Sequence, residues 1–130
     1  MIKFGYTILY VENVEATISF YEKAFGLVQK FITPEKDYGE LETGETKLAF
    51  AQYSVAEFNG ITIAKSNATH VPPALEVTFV VSDVENAFKK AIDAGAQIVK
   101  APSQKPWGQI VAYVRDNNGF LVELCTAMEG

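Results

Sequence analysis

Glu123 stands between Val122 and Leu124 in the closing run Phe120-Leu121-Val122-Glu123-Leu124-Cys125. Successive side chains of a strand point to opposite faces. Phe120, Val122 and Leu124 therefore share the face that packs on a helix, and Leu121, Glu123 and Cys125 share the other. Desolvating a carboxylate in so apolar a run costs roughly several kcal/mol unless it is paired or bound. Glu76 holds a comparable place at the head of Glu76-Val77-Thr78-Phe79-Val80-Val81, where Val77, Phe79 and Val81 form the apolar face. Two such carboxylates brought together recognise a cation, or share a proton because proximity raises one pKa. The plainer alternative is that each pairs with a nearby Lys, Arg, Tyr hydroxyl or water.

Aromatic residues supply the second half of a candidate site. Tyr6 and Tyr10 project to one side of the run Tyr6-Thr7-Ile8-Leu9-Tyr10-Val11, and the single tryptophan, Trp107, lies in Pro106-Trp107-Gly108. Aromatic faces beside carboxylates favour a flat or positively charged ligand, at about 0.5–2 kcal/mol per stacking or cation–π contact. Trp107 has an alternative role, sealing a cavity edge or a subunit contact. In residues 46–52, Leu48 and Phe50 face a helix, while Ala49 and Ala51 face the concavity. The single histidine, His70, precedes Val71-Pro72-Pro73 and reads as a loop residue rather than a base. The single cysteine, Cys125, reads as a small buried group, since no His or helix start beside it lowers its pKa. Glu40, Glu42 and Glu45 read as a solvated hairpin face.

The elements that position these residues come twice. Tyr6 to Ala16 reads as a strand, a cap and a helix start, and the same order recurs from Glu76 to Asn86. Val11 matches Val81, Val14 matches Val84, and Glu15 matches Glu85. Asn13 and Asp83 can each cap a helix, with Ser82 and Glu85 offering a capping box as a second possibility. Val14, Ile18, Tyr21 and Phe25 recur at helical spacing and Gly26 supplies a stop; Val84, Phe88 and Ala91-Ile92 do likewise before Gly95. Strand-like runs follow at 29–33, 38–43 and 46–52, then at 97–100, 109–115 and 120–125. Thr43-Gly44 and Asp116-Asn117-Asn118-Gly119 supply turns, and Pro102, Pro106 and Gly108 mark a loop.

This predicts an α+β fold: two βαβββ modules forming an open, half-barrel mixed sheet with a central cavity. The chain reads as one domain over residues 1–130, with module 1 at about 2–53, a crossover at 54–74 and module 2 at about 75–126. One module of ~60 residues is marginal alone, and two can share a cavity lined by their concave faces.

Composition narrows the partners. Of 130 residues, 48% are hydrophobic and 21% charged, and 11 Lys and Arg against 16 Asp and Glu leave a net charge of −5. That balance argues against nucleic acid, whose binding rests on cationic side chains releasing counterions. No apolar run reaches the ~20 residues that span a bilayer. Residues 1–6 lack the apolar stretch of a secretion signal, and one cysteine makes no internal disulfide, so a cytoplasmic protein is expected.

The opening run Ile8-Leu9-Tyr10-Val11 through Phe20-Tyr21 to Phe25-Gly26-Leu27, and the closing run from Tyr113 to Leu124, resemble the vicinal oxygen chelate superfamily of glyoxalase I, bleomycin-resistance proteins and extradiol dioxygenases. Asn117 and Asn118 replace the Pro and Asp usual in the last turn. The resemblance implies a divalent metal held by four side chains in catalytic members. The matching positions here are Tyr6, Ala49 (or Ala51, two residues on), Glu76 and Glu123. One ligand is retained, one exchanged and two lost. With a single His, extradiol cleavage is not expected. The resulting expectation is a non-metal, bleomycin-resistance-like protein, without a cofactor, that binds an aromatic or cationic small molecule through Tyr6, Tyr10, Ala49, Glu76, Trp107 and Glu123. The alternative is a glyoxalase I-like or epimerase-like enzyme in which Glu76 and Glu123 act as catalytic carboxylates and weakly hold a divalent metal. A homodimer is implied by the same resemblance.

Overall fold

Two short side chains at matching places start the long helices in the computed structural model, which describes residues 1–128. Asn13 Oδ1 accepts the Ala16 N–H at 2.9 Å ahead of α1 (Val14–Phe25). Asp83 Oδ1 accepts the Asn86 N–H at 3.0 Å ahead of α3 (Val84–Asp93), so Asp83 itself is the cap. Each bond satisfies one of the N–H groups that a helix start leaves unpaired. α1 ends at Gly26, whose φ of 70° lies in the left-handed region and whose N–H returns to the Glu22 carbonyl at 3.0 Å. Glycine adopts that conformation without a Cβ penalty.

The strands form two four-stranded mixed sheets, each open. In the first, β1 (Tyr6–Val11), β2 (Gln29–Ile32), β3 (Tyr38–Leu41) and β4 (Lys47–Gln52) lie in the order β1-β4-β3-β2, with β1 parallel to β4 and the other pairs antiparallel. In the second, β5 (Glu76–Val80), β6 (Gln97–Gln104), β7 (Ile110–Arg115) and β8 (Leu121–Cys125) repeat the pattern as β5-β8-β7-β6. The fold is α+β, βαβββ twice.

The chain divides into two compact units, Met1–Glu22 with Gly26–Lys65, and Lys23–Phe25 with the residues from Ser66 onward. In the first unit Leu9, Val11, Leu41, Leu48 and Phe50 are buried with Val14, Ile18 and Tyr21 of α1, and the Tyr21 and Phe50 rings lie 5.0 Å apart. In the second, Val84, Ala112 and Leu124 form a core on which Phe25, Phe79 and Phe88 pack. Full burial of each large apolar side chain contributes about 1.5–3 kcal/mol.

Two expectations change. Pro102 lies inside β6 rather than in a loop, and the ladder to β7 shifts register between Lys100 and Ser103. β6 is the outermost strand of its sheet, where a residue without an N–H is tolerated. The crossover begins with a further short helix, α2 (Tyr53–Phe58), closed by the Asn59 N–H on the Val55 and Ala56 carbonyls at 3.1 Å each. Among the described residues no helix is long and apolar enough to cross a membrane.

Candidate functional site

Strand pairing assembles the second unit's polar cluster. Glu123 of β8 has Thr78 of β5 on one side and Tyr113 of β7 on the other. Laterally paired residues share a sheet face, so all three turn away from the Ala112–Leu124 face that meets α3. Glu76 lies two residues before Thr78, whose hydroxyl donates to Glu76 Oε2 at 2.6 Å. Cys125, 2% exposed, follows Glu123 on the same face. Burial, followed by the neighbouring Glu76 carboxyl, raises the pKa of Glu123, against the opposing pull of Tyr113 and Cys125. Burial and then Glu123 push up the Tyr113 phenol and the Cys125 thiol, which keeps both protonated as donors.

Above this cluster lies a cavity of about 620 Å³ lined by Thr78, Trp107, Gln109, Tyr113, Glu123 and Cys125, among others. Trp107 is 65% exposed, and its indole N–H donates to Gln109 Oε1 at 2.8 Å. Gln109 in turn donates to the Thr126 carbonyl at 2.9 Å, which ties the tryptophan loop to the end of β8. His70 is exposed, its Nδ1 accepting from Asn67 Nδ2 at 2.9 Å.

The turn between β7 and β8 fixes where Glu123 begins. Asp116 Oδ1 accepts the N–H groups of Asn118 at 2.8 Å and Phe120 at 2.9 Å. Arg115 donates to the carbonyls of Gly119 at 2.9 Å and Asn67 at 3.1 Å. Gly119 has φ 84°, and a Cβ there would collide with the Asn67 carbonyl and the Arg115 guanidinium.

The first unit places Tyr6, Tyr10 and Ala49 on the face of its sheet opposite α1. Tyr6 pairs with Lys47, Ile8 with Ala49, and Tyr10 with Ala51. Lys47 Nζ lies 5.4 Å from the Tyr6 ring centroid. The residue that sequence reasoning passed over is Glu40. Glu42 and Glu45 are exposed, as a hairpin face should be, whereas Glu40 is only 5% exposed and accepts the Tyr38 hydroxyl at 2.8 Å. Burial, followed by that hydrogen bond, pushes the Tyr38 phenol upward. The alternation Tyr38-Gly39-Glu40 places Glu40 on this face only through the pairing of β3 with Ala49, which residue order alone does not give.

The structure thus gathers Glu123 and Trp107 around the second unit's cavity, leaves Glu76 outside its lining but beside Thr78 and Glu123, and brings Tyr6, Tyr10 and Ala49 onto one face of the first unit. The donors do not fit the divalent metal of catalytic superfamily members. Ala49 supplies only a methyl group and Tyr6 a phenol, and among the described residues no three His, Cys, Asp or Glu side chains group as metal ligands.

The family model for the glyoxalase/bleomycin resistance protein/dioxygenase superfamily matches residues 3–124. The chain belongs to that superfamily. Its fold is similar to that of a glyoxalase-related enzyme from Fulvimarina pelagi, with TM-score 0.82, 19% identity, and 98% of this chain and 89% of that chain covered. It is similar to a glyoxalase/bleomycin resistance protein/dioxygenase family enzyme from Burkholderia phytofirmans PsJN, with TM-score 0.81, 19% identity, and 96% and 98% covered. It also resembles TioX from Micromonospora sp. ML1, with TM-score 0.71, 23% identity, and 95% and 98% covered. At these identities the likeness speaks for the fold. No curated protein matches the chain.

Proposed function

We propose that this chain is a small-molecule binding protein of the bleomycin-resistance type, acting in the cytoplasm as a homodimer and taking a flat aromatic cation without a resident metal. The observation that carries this reading is the company kept by Trp107: a largely exposed indole beside one cavity with Glu123, Tyr113 and Gln109. A cation there stacks on the indole and replaces the proton that burial favours on Glu123. Tyr6, Tyr10 and Ala49 belong to the proposed ligand-binding set from the first unit.

Calorimetric titration with proflavine, a flat cation, against anthracene-9-carboxylate, a flat anion, tests the reading. Proflavine should bind and change Trp107 emission, with Glu123→Gln weakening it about tenfold, the scale of one charge-assisted contact. Equal binding of the anion, or no binding of the cation, would overturn it.

A second reading draws on the raised pKa of Glu123. A carboxyl poised to exchange protons suits an isomerase or lyase that moves a proton beside a carbonyl. With Glu76 and Glu123 as its acids, weak retention of hydrated Mg²⁺ or Mn²⁺ fits that reading. Solvent deuterium incorporated into a bound α-hydroxy ketone, and lost in Glu123→Gln, would favour it over simple binding.

A further inference from the structure

The helix side of the second unit's sheet carries an opening of its own. Phe79 of β5 pairs with Leu124 of β8, and both turn toward α3, away from Thr78 and Glu123. Beside them lies a cavity of about 240 Å³, floored by Phe25, Phe79, Ala87 and Leu124. The Phe25 and Phe79 ring centroids are 5.1 Å apart. The exposed residues Ser82, Asp83, Asn86 and Lys90 form its rim. Positions 83, 86, 87 and 90 are three or four residues apart in turn, so they make one stripe along α3.

The rim carries one charge of each sign, and neither is paired. Asp83 Oδ1 accepts the Asn86 N–H, which leaves Oδ2 without a hydrogen bond. Lys90 has no ion-pair or hydrogen-bond partner among the described residues. Helix side chains lean toward the N-terminus, which shortens the span from Lys90 back to Asp83. Capping alone does not require a carboxylate, because Asn13 caps α1 with an amide oxygen at 2.9 Å. The first unit shows the same place closed. By the match of Val14 with Val84, Phe20 stands where Lys90 does and Ala16 where Asn86 does. Phe20 is buried, and its ring lies 5.9 Å from that of Tyr21. One copy fills this helix face with an aromatic ring, whereas the other sets an ammonium beside a cavity floored by two half-buried rings.

We propose that this cavity binds an apolar α-amino acid of the size of leucine. The ligand's carboxylate pairs with Lys90, its ammonium with Asp83 Oδ2, and its branched side chain covers the Phe25 and Phe79 rings. The zwitterion matches both charges of the rim, whereas a fatty acid or an amine would leave one of them unmatched. The apolar floor calls for an uncharged side chain. The volume lies below the range of about 300–1,000 Å³ usual for drug-sized ligands, which suits so small a molecule. The site stands on the sheet face opposite Glu123 and does not depend on the reading of that carboxylate.

The test is a titration of the ¹⁵N-labelled full chain with L-leucine, beside isocaproate, which lacks the ammonium, and isoamylamine, which lacks the carboxylate. Leucine should give saturable shifts in the amides of Phe79, Ser82, Ala87 and Lys90, with those of Tyr113 and Glu123 unmoved. Isocaproate and isoamylamine should each bind about fivefold more weakly, the scale of one exposed charge pair. Asp83→Asn keeps the capping oxygen, so α3 stays intact, and should erase the preference for leucine over isocaproate. Lys90→Gln, at an exposed position, should erase the preference over isoamylamine. Glu123→Gln should leave all three affinities as they are, so failure here and failure at Glu123 are separately visible. No saturable shift at residues 79–90, equal affinity for leucine and isocaproate, or discrimination that survives in both Asp83→Asn and Lys90→Gln would overturn the proposal.

Discussion

A Cβ added to Gly39 would stand 2.6 Å from Cδ1 of Ile18. Val14 and Ile32 close the same space at 3.1 and 3.2 Å, and Ile18 is itself fully buried, so the methyl group has little room. β3 lies close to α1 because this residue has no side chain. Gly39→Ala should destabilise the protein by about 1–3 kcal/mol, the usual cost of overpacking. Ile18→Val removes the colliding atom. The double variant should therefore be more stable than the sum of the two single changes, which a denaturant-unfolding cycle measures directly.

The Glu123 carboxyl gives stability a pH dependence of definite sign. Its folded-state pKa lies above the ordinary 4.5, so between the two values the folded chain binds more protons than the unfolded chain. Stability from this group is present at low pH and is lost as pH rises through the folded pKa. Glu123→Gln should raise the melting temperature by about 1–3 °C near pH 8, with the gain shrinking toward pH 4. A gain that grew on acidification would contradict the burial and the Glu76 neighbour as causes.

Cation binding should run with the same titration. Below its raised pKa Glu123 is protonated and competes with a cationic ligand; above it the carboxylate is free to pair. Proflavine affinity should increase with pH across this window, with proton release detectable as a buffer-dependent heat of binding. In Glu123→Gln both effects should fall away.

Cys125 should be inert in the native protein. It is 2% exposed, and its thiol is raised by burial and by Glu123. Thiol-specific reagents act on the thiolate. Iodoacetamide labelling at neutral pH should thus wait on unfolding and follow the unfolding rate, as mass spectrometry over time would show.

The turn after β7 should govern the loop before β5. Arg115 holds the Asn67 and Ala68 carbonyls, and the Ser66 hydroxyl donates to the Asn118 carbonyl at 2.8 Å. Arg115→Met should speed hydrogen exchange at residues 66–70 by about tenfold or more, equivalent to roughly 1.4 kcal/mol of local opening. Exchange in β7 and β8 away from the turn should change little.

Much of this architecture is legible from residue order. Asn13 and Asp83 announce the helices because capping chemistry is local, and the turn Asp116 to Gly119 announces the last hairpin for the same reason. The face carrying Glu76 and Glu123 follows from alternation alone. Glu40 was not legible because its burial depends on the phase of an antiparallel ladder, and one residue of slip would put it on the α1 face. Pro102 looks like a loop residue from order alone, because its strand's position at the sheet margin is a property of the assembled ladder. The Tyr113 partnership with Glu123 has the same origin, since pairing across a hairpin needs its register.

The placement of Pro102 bears on how this protein behaves at high concentration. β6 exposes Ile98 and Val99, an apolar margin of the kind that recruits further strands into growing aggregates. The imino residue and the slips at 98–100 and 100–103 interrupt the run of free amides that such recruitment requires. Swapping Pro102 for valine would remove one of these guards while touching neither carboxylate cluster, and turbidity on prolonged incubation, rather than lost binding, is where the change would surface.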